Sequence, residues 1–125
     1  MKLLLALAAA NGFLAVLLGA FGAHALRGRL VGLADGTRRL EWWQTATTYH
    51  LVHALALGLA ALVVQKSGTP ATAAGWSFFA GILLFSGSLY VMTLTGLRGL
   101  GAVTPLGGLA FLAGWALLFA AALRV

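Results

Sequence analysis

Cysteine is absent from this chain of 125 residues, and acidic residues are scarce: there are two Asp or Glu against eight Lys or Arg. The lack of cysteine excludes disulfides, thiolate metal sites and iron–sulfur clusters. Charged residues make up 8% of the sequence and hydrophobic residues 62%, whereas soluble domains carry about 25% charged residues. A soluble fold with so little charge could not cover its surface, so the composition predicts an integral membrane protein.

The few charges give a formal net charge of +6. In a soluble protein this would suggest nucleic-acid binding. Here the charges stand singly or in pairs between apolar runs, and no basic stripe is interleaved with aromatic residues. We therefore expect them to bind anionic lipid headgroups and to set orientation, and we expect no nucleic-acid partner.

Four apolar runs are long enough to cross a bilayer, which requires about 20 residues of helix. These runs cover residues 3–26, 44–64, 73–94 and 102–123. The sequence predicts a single integral membrane domain over residues 1–125, an all-α bundle of four transmembrane helices with short loops. The second helix should begin well before its apolar run. Its first turns then form an interfacial extension, where Trp42 and Trp43 fit the aromatic belt.

Small residues mark two faces where helices can approach closely. In the first run Ala15, Gly19 and Ala23 recur every four positions. In the fourth run Gly107 and Gly108 are adjacent. Both patterns predict packing against a neighbouring helix.

Lys and Arg are distributed unequally over the connections. The first and third connections contain five of them, Arg27, Arg29, Arg38, Arg39 and Arg98. The termini and the second connection contain three, Lys2, Lys66 and Arg124. Because cytoplasmic loops are enriched in Lys and Arg, this distribution predicts that both termini lie outside the cytoplasm.

Polar side chains within the apolar runs are the candidate functional groups, since a polar group at that depth is costly unless it is paired. His50 and His53 are three residues apart and share a helix face. The candidate buried polar cluster consists of His24, Tyr49, His50, His53, Ser86, Ser88, Tyr90 and Thr104. In a first interpretation each histidine is neutral and bonded to another helix, and the candidate partners are Ser86, Ser88, Tyr90 and Thr104.

Two other interpretations stay open. The face formed by Tyr49, His50 and His53 could handle protons or a small polar solute in a small oligomeric transporter or channel. Alternatively, His24, His50 or His53 could ligate haem or another metal in a redox-linked subunit. Against this last interpretation, no acidic residue lies within the apolar runs to orient a ligating histidine.

Three parts of the chain together resemble a known family. They are Gly19-Ala-Phe-Gly-Ala-His-Ala-Leu26, Tyr49-His-Leu-Val-His-Ala-Leu-Ala-Leu57, and Leu84-Phe-Ser-Gly-Ser-Leu-Tyr90 followed by Thr104-Pro-Leu-Gly-Gly108 and Leu112-Ala-Gly-Trp115. In order and spacing they resemble the bacterial domain-of-unknown-function 423 family, which is related to eukaryotic transmembrane protein 256. The resemblance implies a small membrane protein with about four spans, and it brings no established biochemical activity.

The resemblance also bears on single residues. His24 and His53 fall on histidine positions of the family, and His50 on a position where members have Gln or His. A position that accepts Gln argues against metal ligation by His50. Thr48 stands where some members have Gln or Glu, which weakens the proton-handling interpretation.

The sequence as a whole predicts a multi-pass protein of the bacterial inner membrane. We expect a scaffold or accessory subunit that packs with itself or with other membrane proteins. No constellation of a soluble enzyme is present. The segment Thr104-Pro-Leu-Gly-Gly108 is glycine-rich but lacks the lysine of a phosphate-binding loop. We assign no catalytic, cofactor-binding or metal-binding residue.

Overall fold

The computed structural model describes the whole chain, Met1–Val125, and consists of four long helices without strands. Helix α1 covers Lys2–Leu30, α2 Gly36–Ser67, α3 Thr69–Thr95 and α4 Thr104–Ala122, and a short 3-10 helix at Arg98–Ala102 precedes α4. All four helical segments are long and apolar enough to cross a membrane. The predicted all-α class with four spans, including the early start of the second helix, is confirmed.

Glycine and proline set the ends of the helices. Gly68 and Gly96 follow α2 and α3 with φ of 64° and 75°, a left-handed conformation that residues with a Cβ rarely adopt. Pro70 and Pro105 lie in the first turns of α3 and α4, where a missing backbone N–H leaves no intrahelical bond unmade.

Helix α2 is the centre of the bundle, and it packs against all three other helices. Between α1 and α2 the facing pairs are Leu18–Trp43 and Ala8–Gly58. Between α3 and α2 they are Thr93–Arg39 and Ser86–Ala46. Between α4 and α2 they are Phe111–Tyr49 and Trp115–His53. Helices α1 and α3 are therefore antiparallel to α2, and α4 is parallel to it. Because α1 packs almost entirely on α2, it lies at the edge of the bundle.

The interior is apolar and closely packed around Leu57, Phe78 and Phe111. Large apolar side chains such as Phe13 and Phe119 are instead about 70% exposed on the outside. Lipid tails are as apolar as these side chains, so in a bilayer their exposure costs little. The stability of the bundle must then come from packing and from bonds between helices.

Three glycines make room for an aromatic ring of a neighbouring helix, and a fourth makes room for backbone. Trp43 lies on Gly22, Phe111 on Gly81 and Phe78 on Gly114, whereas Gly107 lies against the backbone of Phe85. A Cβ added at Gly107 would lie 2.7 Å from the Phe85 Cα atom, well inside van der Waals contact. At Gly107 the backbones of α3 and α4 therefore lie close together.

The other residues predicted to pack helices are placed differently. Ala15 is buried, Gly19 and Gly108 are half-buried with nothing within 4 Å of an added Cβ, and Ala23 is exposed. The buried positions of α1 run Leu4, Ala8, Asn11, Ala15 and Gly22. The first four are separated by steps of four, three and four, and Gly22 follows after seven, which is about two full turns; a repeated step of four would instead turn about 40° off the face each time. The face predicted from Ala15, Gly19 and Ala23 therefore drifts away from α2.

Two helices contain a wide π-helical turn, at Gly22–Leu26 in α1 and at Ile82–Ser86 in α3. In each, the N–H after the turn bonds to a carbonyl five residues earlier, Arg27 to Gly22 and Gly87 to Ile82. Such turns occur mostly as single interruptions of α-helices. Both face the same part of α2, from Trp43 to Ala46.

Candidate functional site

His50 is the middle of a hydrogen-bond chain that joins three helices. It is buried on α2, with its Nε2 atom 2.9 Å from Asn11 Oδ1 on α1 and its Nδ1 atom 2.8 Å from the Tyr90 hydroxyl on α3. Asn11 in turn donates its amide N–H to the Leu7 carbonyl, at 2.8 Å. The amide oxygen of Asn11 is therefore the atom that faces the imidazole.

These partners determine the tautomer of His50. An amide oxygen can only accept, so Nε2 carries the proton and donates it to Asn11. Nδ1 then accepts the hydrogen bond donated by Tyr90. A neutral imidazole has one donor and one acceptor, and both are used. Protonation at Nδ1 would reverse this bond, so that the Tyr90 oxygen accepts it and the hydroxyl proton loses its acceptor.

His53 adopts the opposite tautomer. Its Nδ1 atom lies 2.8 Å from the Tyr49 carbonyl, which can only accept, so Nδ1 carries the proton. Its Nε2 atom accepts a hydrogen bond from the indole N–H of Trp115, at 3.1 Å. The ring stacks on Phe111 with centroids 3.6 Å apart and planes 10° from parallel. His53 therefore links α2 to α4 with both of its nitrogen atoms engaged.

The serine and threonine hydroxyls make two further links between helices. Ser86, in the wide turn of α3, donates to the Ala46 carbonyl of α2 at 2.8 Å. The hydroxyls of Ser88 and Thr104 share a hydrogen bond of 2.6 Å between α3 and α4. Because Ser86 and Ser88 face different helices, they do not share a partner.

The eight residues predicted as one buried polar cluster thus separate into several groups. Six of them make bonds between helices: His50, His53, Ser86, Ser88, Tyr90 and Thr104. Tyr49 contributes its carbonyl and its ring, which is stacked 5.8 Å from His53, while its side chain is exposed. His24 lies apart from the cluster, exposed on α1 and without a side-chain hydrogen bond, because it is on the outward side of the wide turn.

Two residues of these groups, Asn11 and Trp115, were not predicted from the sequence. Asn11 is the one polar side chain between Lys2 and His24, and that isolation was a usable signal. Trp115 gave no such signal, because tryptophan is also common in membrane interfaces without a bonded partner.

A second set of polar contacts holds the charged end of the bundle. The Arg39 side chain donates its Nε–H to the Thr93 carbonyl at 2.8 Å, and the Thr93 hydroxyl donates to the Arg39 carbonyl at 3.0 Å. Asp35 lies 3.7 Å from the same guanidinium. A cation at the last carbonyls of α3 complements the negative end of that helix, so Arg39 fixes the start of α2 against the end of α3.

The polar groups of the interior are all satisfied, whereas those on the outward side of α2 are not. Every buried side-chain nitrogen and oxygen has a hydrogen-bond partner. Arg38, Glu41, Thr45 and Thr48 are exposed on α2, and their side chains make no hydrogen bond or ion pair within the chain. These four side chains therefore leave a row of unused hydrogen-bonding groups on the surface of α2.

Residues 18–108 match the family described as "Protein of unknown function (DUF423)". The UPF0382 membrane protein YwdK of Bacillus subtilis is 47% identical over 126 residues, which covers 99% of this chain and 98% of that protein. The UPF0382 membrane proteins SAB0533 of Staphylococcus aureus and SERP0230 of Staphylococcus epidermidis are 42% and 43% identical over 124 residues, each covering 99% of this chain and 98% of the relative. No solved structure matches.

The family match covers most of the chain, and these relatives, all named membrane proteins, share nearly its full length. The resemblance drawn from the three sequence segments is thereby confirmed. This chain, with four helices long and apolar enough to cross a membrane, belongs to the DUF423 family of membrane proteins.

Proposed function

We propose that this protein is a scaffold or accessory subunit, which works by packing with itself or with other membrane proteins. The observation that carries the proposal is the contrast between a satisfied interior and an unsatisfied outward side of α2. The buried polar atoms all have partners, whereas Thr45 and Thr48 have none within the chain. Lipid tails offer no hydrogen bonds, so a protein surface is the environment that suits this side of α2.

The histidines support this role by holding the helices in place. His50 connects α2 to α1 and α3, and His53 connects α2 to α4. Each imidazole uses both nitrogen atoms in its neutral form. A proton on His53 would break the bond from Trp115, and a proton on His50 would reverse the bond from Tyr90. A metal ion on either accepting nitrogen would displace the donor from the neighbouring helix. The transporter and haem alternatives would require such rearrangements.

The three residues on which the transporter alternative depends do not face the same neighbouring helices. His50 points toward α1 and α3, while His53 and Tyr49 face the aromatic residues of α4. Flux assays in liposomes test this point. A proton or solute flux in the parent protein that disappears in His53→Ala would favour transport. A Soret band in the purified protein would favour the haem alternative.

The decisive experiment for the scaffold proposal measures the oligomeric state of the protein in native lipid. We expect the chain, extracted directly into lipid nanodiscs from the bacterial membrane, to migrate as a complex with a second copy or with other membrane proteins. A strict monomer that co-purifies with no protein contradicts the proposal. Extraction in harsh detergent, which disrupts contacts between helices, is the control that should yield the monomer.

We further propose that the protein lies in the bacterial inner membrane with both termini outside the cytoplasm. The helix directions support this, because the connections before α2 and before α4 lie at one end of the bundle, and they carry five Arg against three basic residues at the other end. Reporter fusions after Val125 and within residues 66–71 should both report a non-cytoplasmic location. A cytoplasmic signal from either fusion contradicts the orientation.

A further inference from the structure

The outward side of α2 carries a regular seam that nothing in the chain covers. We call it the outer seam, and it consists of Arg38, Glu41, Thr45, Thr48, Val52, Leu55, Leu59 and Leu62. All eight residues are exposed. Successive members are three and four residues apart in strict alternation. This is the heptad spacing of a coiled coil, in which the seam of one helix packs into that of another.

The residue types of the outer seam vary along its length. The half near the start of α2 is polar, with Arg38, Glu41, Thr45 and Thr48. The half toward Ser67 is aliphatic, and Leu55 is 70% exposed. An aliphatic face alone could be covered by lipid, as the outward face of α4 must be, where Leu106, Leu109 and Leu112 are exposed. The polar half of the outer seam distinguishes it, because the hydrocarbon tails of lipid cannot satisfy its hydroxyls.

The order of side chains indicates the number of helices that meet. With Arg38 as the first position of the heptad, Thr45, Val52 and Leu59 occupy the following a positions, and Thr48, Leu55 and Leu62 the corresponding d positions. Two of these three a residues are β-branched and two of the three d residues are leucine, and β-branched residues at a with leucine at d favour two parallel strands. Two copies inserted in the same orientation present α2 in parallel, as this arrangement requires.

The charges of the outer seam are complementary between two copies. In a parallel pair, a side chain at an a position packs into a hole whose members include the following d residue of the partner helix. Arg38 of one copy then lies beside Glu41 of the second copy, and the reverse contact occurs by symmetry. Within one chain these two residues make no ion pair, since the single salt bridge joins Arg39 and Asp35.

We propose that two copies of this protein dimerise by packing α2 against α2 along the outer seam, around a two-fold axis perpendicular to the membrane. The proposal rests on the proposed scaffold function, because it names one partner and the surface that binds it. Thr45 and Thr48 then bond across the dimer at the edge of the hydrocarbon layer. Val52, Leu55, Leu59 and Leu62 interdigitate below them.

The absence of cysteine from the chain allows a direct test. Thr48→Cys and Leu55→Cys place a single thiol on the outer seam. Phe13→Cys and Leu112→Cys are matched controls, because they place a thiol at positions 70% and 67% exposed on α1 and α4. Each purified variant is reconstituted in liposomes at high lipid excess, oxidised, and resolved on a non-reducing gel. We expect about tenfold more disulfide dimer from the seam variants than from the controls.

The outcomes separate this proposal from the scaffold function. If Phe13→Cys or Leu112→Cys cross-links to the same extent as the seam variants, the chain does not dimerise specifically through the outer seam. The proposed dimer is then wrong, while the scaffold function stands. If no variant cross-links but the parent co-purifies with another membrane protein, dimerisation is wrong and the scaffold function again stands. Absence of both cross-linking and co-purification overturns both.

Charge exchange tests the pairing of Arg38 with Glu41. Glu41→Arg in the Thr48→Cys background should lower the cross-linked fraction about two- to fivefold, and adding Arg38→Glu should restore it. Neither side chain makes a bond within the chain, so the helical circular dichroism should stay unchanged. An unaltered fraction in Glu41→Arg, or no recovery in the double variant, overturns the proposed pairing.

Discussion

The Nε2 atom of His50 donates a hydrogen bond of 2.9 Å to the amide oxygen of Asn11, and this bond joins α1 to the rest of the bundle. Few other polar contacts hold α1. The indole N–H of Trp43 donates to the Leu18 carbonyl at 2.7 Å near the wide turn. Since α1 packs almost entirely on α2, these two bonds set its rotation and its depth.

Asn11→Leu should destabilise the bundle, because it leaves the buried Nε2–H of His50 without an acceptor. We expect a loss of about 1–2 kcal/mol in the free energy of unfolding, measured by titration with SDS in mixed micelles. Leu14→Ala, which is exposed to lipid, is the control and should change little. The double variant Asn11→Leu/His50→Leu should cost less than the sum of its single variants. Additive losses would show that the two side chains are not coupled.

Trp115→Phe should remove the donor to His53 while keeping an aromatic ring in place. The expected loss is about 0.5–1.5 kcal/mol, in keeping with the modest strength of hydrogen bonds between membrane helices. Trp76→Phe is a matched control, because Trp76 is similarly exposed and its indole makes no hydrogen bond. Equal unfolding midpoints for the two variants would contradict the assigned bond.

Two adjacent glycines of α4 should respond differently to alanine. In Gly107→Ala the new Cβ meets the backbone of Phe85, so α3 and α4 must separate, at a cost of about 1–3 kcal/mol. In Gly108→Ala nothing lies within 4 Å of the new atom, and stability should stay the same or rise slightly. Thermal unfolding in detergent compares them directly. A neutral Gly107→Ala would refute the close contact.

Arg39→Lys should weaken the contact between the start of α2 and the end of α3, even though it keeps the positive charge. Lysine lacks the directed Nε–H that binds the Thr93 carbonyl. We expect a loss of about 1–2 kcal/mol and faster hydrogen exchange in the last turn of α3. Arg38→Lys, in a detergent that keeps the protein monomeric, is the control and should leave exchange unchanged. The same exchange rate in both variants would contradict the role given to Arg39.

The helical class and the number of spans could be predicted from composition, because the bilayer fixes both the length and the polarity of a helix that crosses it. The partners of the histidines could not. Tyr90 was among the candidates for His50, but Asn11 and Trp115 were not. Periodicity within one helix shows which residues share a face, whereas the partner across an interface depends on how two helices are rotated and shifted against each other.

The packing face of α1 illustrates a second limit. Counting small residues in steps of four predicts Ala15, Gly19 and Ala23 as packing residues. Of these Ala15 is buried, and the neighbouring buried positions are Asn11 and Gly22. Over a few turns of helix, steps of four residues rotate progressively away from the face that packs on α2. The wide turn that starts at Gly22 adds one residue and so changes again which side chains point toward α2. Neither effect is visible in the identity of the small residues themselves.

The wide turns of α1 and α3 have a consequence for how the chain can change in length. Each holds one residue more than a regular turn of helix. Deleting one residue from Gly22–Leu26 or Ile82–Ser86 would restore an ordinary helix while the segments on either side still face the same neighbours. Homologous chains should therefore tolerate single-residue gaps at these two places. A gap in α2, which runs for 32 residues without interruption, would rotate half of its bonded side chains away from their partners.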